Sequence, residues 1–269
     1  HFLAVLNTDG DPNGLIQHGN ERVLRARFND ARFFWQADQK VPLKERIDML
    51  KAVTFQKDLG SYYQKTVRVE KLAAWLAEEQ TDSTNVSTEA VAEAAWLSKT
   101  DLTTELVKEF TELQGVVGGL YARAQGVDEA AAAAIYDHYK PESMEDGAPA
   151  TIEGAVLAIA DKADTIAGMF AIGKQPTGSK DPFALRRQAN GIVKTIAEHN
   201  LRIGLRRLLL EAREIYRRHE TKFSVNDAQY EDSLRSFFRE RLEFYMREAG
   251  SYAYDVVHAV PVSYTHLTL

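Results

Sequence analysis

The residues with the first claim to chemistry are Gly173-Lys174-Gln175-Pro176-Thr177-Gly178-Ser179-Lys180, where two glycines five apart precede a hydroxyl and an amine. Such a set suggests a loop that cradles phosphate. A Walker loop, however, sets Lys before Ser or Thr and follows a buried strand, so that backbone N–H groups converge on phosphate at a helix start. Here the order is reversed, the preceding residues have a helical pattern, and Asp181 is placed to cap the next helix. The reading is therefore a structural turn with Lys180 exposed. No Gly-x-Ser-x-Gly, His-Glu-x-x-His or dinucleotide fingerprint occurs, and Cys is absent altogether. That excludes a thiol nucleophile, a cysteine zinc site and a disulfide framework, and it predicts a reducing, cytoplasmic address. Carboxylate pairs such as Glu78-Glu79 fall on polar helix faces, where solvation explains them.

A second set joins histidine and aspartate on helices. Ile135-Tyr136-Asp137-His138-Tyr139 and Ile159-Ala160-Asp161-Lys162-Ala163-Asp164 resemble two motifs of the HD phosphohydrolase superfamily, the His near a helix end and the late metal-binding Asp. Those enzymes also need an earlier His and an adjacent His-Asp pair, to hold the divalent ion that activates water. At the corresponding place stands Leu97-Ser98-Lys99-Thr100-Asp101, and no His occurs between His18 and His138. The resemblance thus implies an HD-like helical fold whose metal site is lost. His138 and Asp161 are degenerate remnants, with His138 a capping or packing residue, and no metal is expected.

Charge points elsewhere. The whole chain has 269 residues, 45% of them hydrophobic and 27% charged, with a formal charge of -6, an ordinary globular composition that excludes disordered, collagen-like and membrane-spanning classes. Yet residues 70–170 hold 19 acids and 6 bases, while residues 183–222 hold 10 bases and 4 acids. The first segment repels nucleic acid and the second attracts it, over distances within a Debye length. The plain counter-reading is a solvated helix face.

These residues need helices to position them. The opening residues 2–6 alternate as a strand with no partner strand nearby, and with no initial Met the chain reads as a fragment of something longer. A helical face to about residue 36 follows, then a short helix over 43–51, an extended 53–55, and a helix over 61–79 capped by Ser61. Further helices are predicted over 88–98, through Leu102, Leu106 and Phe110, over 113–124 and over 128–138. Residues 152–170 are apolar nearly all round and should form the central, most buried helix. Asp181 with Pro182 at the first position starts a helix to about 199, the next places Arg206, Arg213 and Arg217 on one polar stripe, and a last one carries Leu234 to Tyr245.

Several stretches together look like one family, the β subunit of the bacterial two-subunit glycyl-tRNA synthetase. They are Gly19-Asn20-Glu21-Arg22-Val23-Leu24-Arg25-Ala26-Arg27-Phe28, Asp30-Ala31-Arg32-Phe33-Phe34, Glu112-Leu113-Gln114-Gly115 and Ala160-Asp161-Lys162. Above all there is Pro176-Thr177-Gly178-Ser179-Lys180-Asp181-Pro182-Phe183-Ala184-Leu185-Arg186-Arg187. The resemblance spans residues 2–260 and stops at a tail, 261–269, that does not continue the pattern.

It implies a mainly α fold: the end of an α/β domain over 1–41, an HD-like helical domain over 42–175, a basic helical linker over 176–225 and the start of an anticodon-binding domain over 226–260. It further implies a tRNA-binding accessory subunit for a separate catalytic α subunit, in an assembly of two α and two β chains that charges tRNA(Gly). ATP and Mg2+ would be used by that partner, with no cofactor and no catalytic residue in this chain, and no DNA or membrane as partner. A synthetase needs a basic surface for tRNA phosphates, and the basic segment offers Lys180, Arg186, Arg187, Arg206, Arg213 and Arg217. Arg186 and Arg187 cannot share a face, and Arg22, Arg25 and Arg27 form a lesser cluster read as structural. The competing readings are a surviving metal-dependent HD phosphohydrolase and a non-catalytic helical scaffold.

Overall fold

The computed structural model describes residues 2–219 and 221–250. It begins with a long helix, α1 (Leu15–Asp38), then α2 (Leu43–Arg46) running into a 3-10 helix (Ile47–Ala52). A two-stranded antiparallel ribbon follows, β1 (Thr54–Gln56) with β2 (Gly60–Ser61). Everything after it is helical: α3 (Tyr62–Gln80), α4 (Thr88–Leu97), α5 (Glu105–Glu109), α6 (Val116–Ala124), α7 (Glu129–Asp137), α8 (Ile152–Ala171), α9 (Leu185–Glu198), α10 (Leu205–Arg218) and α11 (Asp227–Gly250). The mainly α expectation holds.

Local chemistry sets most of these starts. Ser61 accepts from Gln64 N–H while the Gln64 side chain accepts from Ser61 N–H, a reciprocal cap that begins α3 where the sequence predicts it. Ser87, Thr104, Asp128 and Thr151 cap α4, α5, α7 and α8 without the reciprocal bond, each side-chain oxygen accepting from the first turn.

Several expectations need correction. Residues 2–6 form no strand: among the described residues no neighbouring edge supplies ladder hydrogen bonds, and Leu3 and Val5 are fully exposed. The predicted α/β remnant is therefore seen only as α1 and an unpaired lead-in. The helix expected through Leu102 to Phe110 is split into a 3-10 turn (Thr100–Thr103) and α5, because Thr104 is extended so that its hydroxyl can cap α5. The next helix starts at Val116 rather than 113, since Gly115 with φ 79 reverses the chain just before it. Asp181 does cap α9, but at a distance: its carboxylate accepts from Leu185 and Arg186 N–H, Pro182 sits in the preceding turn, and Ala184 adopts φ 52 at the helix start.

Every residue of α8 after Ile152 is buried. Its small side chains let α3, α4, α7, α9 and α10 close around it, with α11 against one end. At Gly168 a Cβ would fall on the Tyr216 hydroxyl, so this glycine is what lets α10 approach α8. The segment expected to be a linker, 176–225, belongs to the same core: Ile192, Val193, Ile196, Leu205, Leu208 and Leu209 are buried in it. The apolar stripes of α9 and α10 leave no other outcome, since stable amphipathic helices must bury that face.

Candidate functional site

α8 carries two aspartates one turn apart into this apolar core, and α3 and α4 deliver the cations that meet them. Lys99, just past the end of α4, places its Nζ 2.9 Å from Asp161 Oδ2 and 2.9 Å from His138 Nε2. His138 Nδ1 lies 2.6 Å from the Ile135 carbonyl oxygen, so Nδ1 donates there and Nε2 accepts from Lys99. Lys65 Nζ reaches Asp161 Oδ1 at 3.0 Å, Asp164 Oδ2 at 3.1 Å and Thr165 Oγ1 at 2.9 Å. Arg68 Nε donates to Asp164 Oδ1 at 2.8 Å, and the Tyr216 hydroxyl donates to Asp164 Oδ2 at 3.2 Å. All of these side chains are buried.

Such charges survive in a core only in company. Burial works against the ionised forms of Asp161 and Asp164, yet Lys65 and Lys99 beside the first, and Arg68 and Lys65 beside the second, hold both below the usual carboxylate range. Burial pulls Lys99 down to about 8 despite Asp161, and Lys162 down to about 7. Burial and then the Lys99 ammonium keep His138 well below its ordinary value, so it is neutral, as its acceptor role requires. Asp101, buried and donated to by Gly115 N–H at 2.6 Å, rises to about 6 through burial.

The two HD remnants are joined in a way the sequence did not anticipate. His138 and Asp161 do come together, but what joins them is the ammonium of Lys99. A divalent ion does not fit there, because the chain's own cation lies between the two ligands and Lys65 adds a second positive charge beside Asp161. Among the described residues no group of three His, Asp or Glu side chains is set to hold a metal.

The residues predicted to meet RNA have divided fates. The 173–180 turn is closed by paired backbone hydrogen bonds between Thr177 and Lys180, leaving the Lys180 side chain exposed. Arg186 folds back, Nη2 donating to the Gly178 carbonyl at 2.8 Å, while Arg187 points away and is exposed. Arg206 is exposed and paired with Glu231 at 2.7 Å, and Arg217 with Glu214 and Asp227 at 2.8 and 3.1 Å. Arg213 is a correction. It is only 3% exposed, its guanidinium sits 4.1 Å from the Tyr230 ring centre and 4.9 Å from that of Phe223, and it pairs with Asp227 at 2.9 Å. Its place is under the surface because α11 folds over that side of α10. On α1, Arg22 and Arg25 are exposed, and Arg27 lies 4.8 Å from the Phe110 ring centre.

Sequence reasoning missed Lys65, Arg68 and Tyr216, which complete the buried cluster. A signal was present: Lys65 and Arg68 interrupt the stripe that α3 turns to α8, and charged residues on an apolar stripe need partners.

With this geometry in view, a model described as Glycyl-tRNA synthetase beta subunit matches residues 1–261. The chain belongs to this β-subunit family. Relatives named Glycine--tRNA ligase beta subunit include one from Acidobacterium capsulatum, 55% identical over 99% of this chain and 37% of its own length. Others from Acaryochloris marina and Phenylobacterium zucineum are 42% and 41% identical, each over 97% of this chain and 36% of their own length. The chain thus spans little more than a third of the β-subunit relatives it matches. Among its described residues, no helix is long and apolar enough to cross a membrane.

Proposed function

We propose that this chain is part of the tRNA-binding accessory subunit of glycine-tRNA ligase, supporting ATP-dependent attachment of glycine to tRNA(Gly) by a separate catalytic α subunit. Membership of the β-subunit family over residues 1–261 is the observation that carries the reading. The complex contains two α and two β chains in the cytoplasm, and the ATP and Mg2+ of the glycylation reaction act on the α chain. The bundle of α3 to α8 is an HD-like domain without its metal chemistry, α1 ends an α/β domain, and α11 opens an anticodon-binding domain. Residues 251–260 of that last part, and the tail 261–269, lie outside the described residues.

The base-rich outer side of α9 and α10 meets RNA phosphates. Lys180, Arg187, Arg206 and Arg217 are exposed there and Arg186 is half-buried beside them. Their partners are mostly solvent-exposed carboxylates, which phosphates can replace at small cost because exposed ion pairs are weak. Arg213 stiffens this face from beneath.

The test is reconstitution. The full-length β chain mixed with its α partner should restore glycylation of tRNA(Gly), and the α chain alone should fall to background. Glycylation that proceeds unchanged without the β chain would end the proposal.

A further inference from the structure

A cavity of about 380 Å³ opens over the buried cluster, between the loop that follows α7 and the start of α9. Lys65 and Lys99 form its floor, Lys162 one wall and Arg187 its rim. Positive charge is in excess. Lys162 Nζ is held by the carbonyl oxygens of His138, Tyr139 and Lys140 at 3.2, 3.1 and 2.8 Å, and no carboxylate among the described residues touches it. Lys65 and Lys99 share Asp161, and the second partner of Lys65, Asp164, also serves Arg68. The Arg187 side chain has no hydrogen bond or ion pair among the described residues. Four cations thus face the cavity against two carboxylates, Asp161 and Glu142.

Burial first, and then neighbouring ammonium groups, lower Lys162 to about 7 and Lys99 to about 8 against the pull of Asp161. The remaining walls include aromatic rings, among them Tyr62 and Phe183. The volume lies within the range of small-ligand sites, about 300–1,000 Å³. A phosphoryl group would supply the missing negative charge at Lys99, Lys162 and Arg187, in a partly desolvated place where charge-assisted hydrogen bonds are strong. An unpaired base would find the rings.

We propose that this cavity is a binding site for a nucleoside phosphate, its phosphoryl oxygens received by Arg187 and the remaining N–H of Lys99, with Lys162 adding positive charge from the wall, and its base by Tyr62 and Phe183. This stands apart from the subunit assignment, since it concerns a mononucleotide and can hold or fail whatever becomes of glycylation.

Calorimetric titration of the full chain with AMP and with adenosine tests it. AMP should bind saturably with one site per chain, and adenosine at least about tenfold more weakly, because the phosphate provides most of the attraction. Arg187→Glu, an exposed change that leaves the helical circular dichroism intact, should weaken AMP by at least about tenfold. Absence of saturable AMP binding at millimolar concentration, equal binding of adenosine, or an Arg187→Glu chain that binds AMP as before would each overturn the proposal. Competition by a 5′-phosphorylated single-stranded RNA identifies the source of the phosphate. Displacement of AMP assigns the pocket to an RNA end and lack of displacement to a free nucleotide, and either result upholds the site.

Discussion

Lys99 Nζ stands between His138 Nε2 and Asp161 Oδ2, 2.9 Å from each. The relationship explains how a core can hold a histidine and an aspartate together without a metal. The ammonium neutralises Asp161 and donates to a histidine whose other nitrogen is committed to the Ile135 carbonyl.

Replacing Lys99 by Met tests how much the core depends on it. Asp161 would retain Lys65 but lose half its compensation, and breaking a buried pair costs about 3–5 kcal/mol. Urea unfolding of Lys99→Met should show a loss of this order. A loss under about 1 kcal/mol would mean that the Lys99 ammonium is effectively solvated.

Asp164 is the deeper hub, accepting from Arg68, Lys65 and Tyr216. Asp164→Ala strands the buried Arg68 cation and takes from Lys65 one of its two carboxylates, and should destabilise by about 3–5 kcal/mol, whereas Tyr216→Phe removes one hydrogen bond and should cost about 1 kcal/mol. The ordering, read from denaturant midpoints of the two variants, is the checkable result. Equal effects would contradict the charge-based account.

Arg213 and Arg206 sit on one helix with opposite roles. Arg213→Ala removes a desolvated cation packed against two rings, and should cost about 2–3 kcal/mol with little change in the salt dependence of RNA binding. Arg206→Ala gives up only an exposed pair with Glu231, under about 1 kcal/mol, but should make the slope of log affinity against log salt shallower by about 0.7–0.9. Gel-shift titrations at several salt concentrations, alongside thermal unfolding, separate the two. An unaltered slope for Arg206→Ala would remove that residue from the RNA surface.

Acid should weaken the fold through His138. Its folded value is depressed, so below about 6.5 the unfolded chain binds a proton that the folded chain refuses, and stability falls as pH falls, by up to about 1.4 kcal/mol per pH unit. Lys99, Lys162 and Asp161 face this ring; the two lysines oppose its protonation and Asp161 favours it. Asp101, raised to about 6, acts in the opposite sense, gaining stability as pH falls from about 6 towards 3.8. Unfolding free energies at pH 7 and 5.5 should therefore drop for the natural chain and drop less for His138→Gln. A His138→Gln chain with the same pH dependence would show that another group is responsible.

Much of the fold is legible in the sequence. Ser61 as a cap, the all-round apolar run of α8 and the stripes of α9 and α10 are local signals, since a cap needs three residues and a stripe needs one helix. The failures are equally physical. Residues 2–6 alternate like a strand, but a strand exists only when another edge meets it. Thr104 and Gly115 divide what looks like continuous helix, because a hydroxyl cap and a positive φ outweigh a few apolar positions.

The sequence by itself determined most of the helices, that His138 and Asp161 lack the companions for a metal, and which family motif runs from Pro176 to Arg187. Only the tertiary structure decided that Lys99 lies between those two remnants, that Arg213 is sealed beneath α11 while Arg187 is not, and that Lys162 faces a cavity without a carboxylate of its own. The reason is distance along the chain. Spacing within one helix sets which side chains share a face, but Lys99 and Asp161 are 62 residues apart, and only the packing of α4 against α8 brings their charges together.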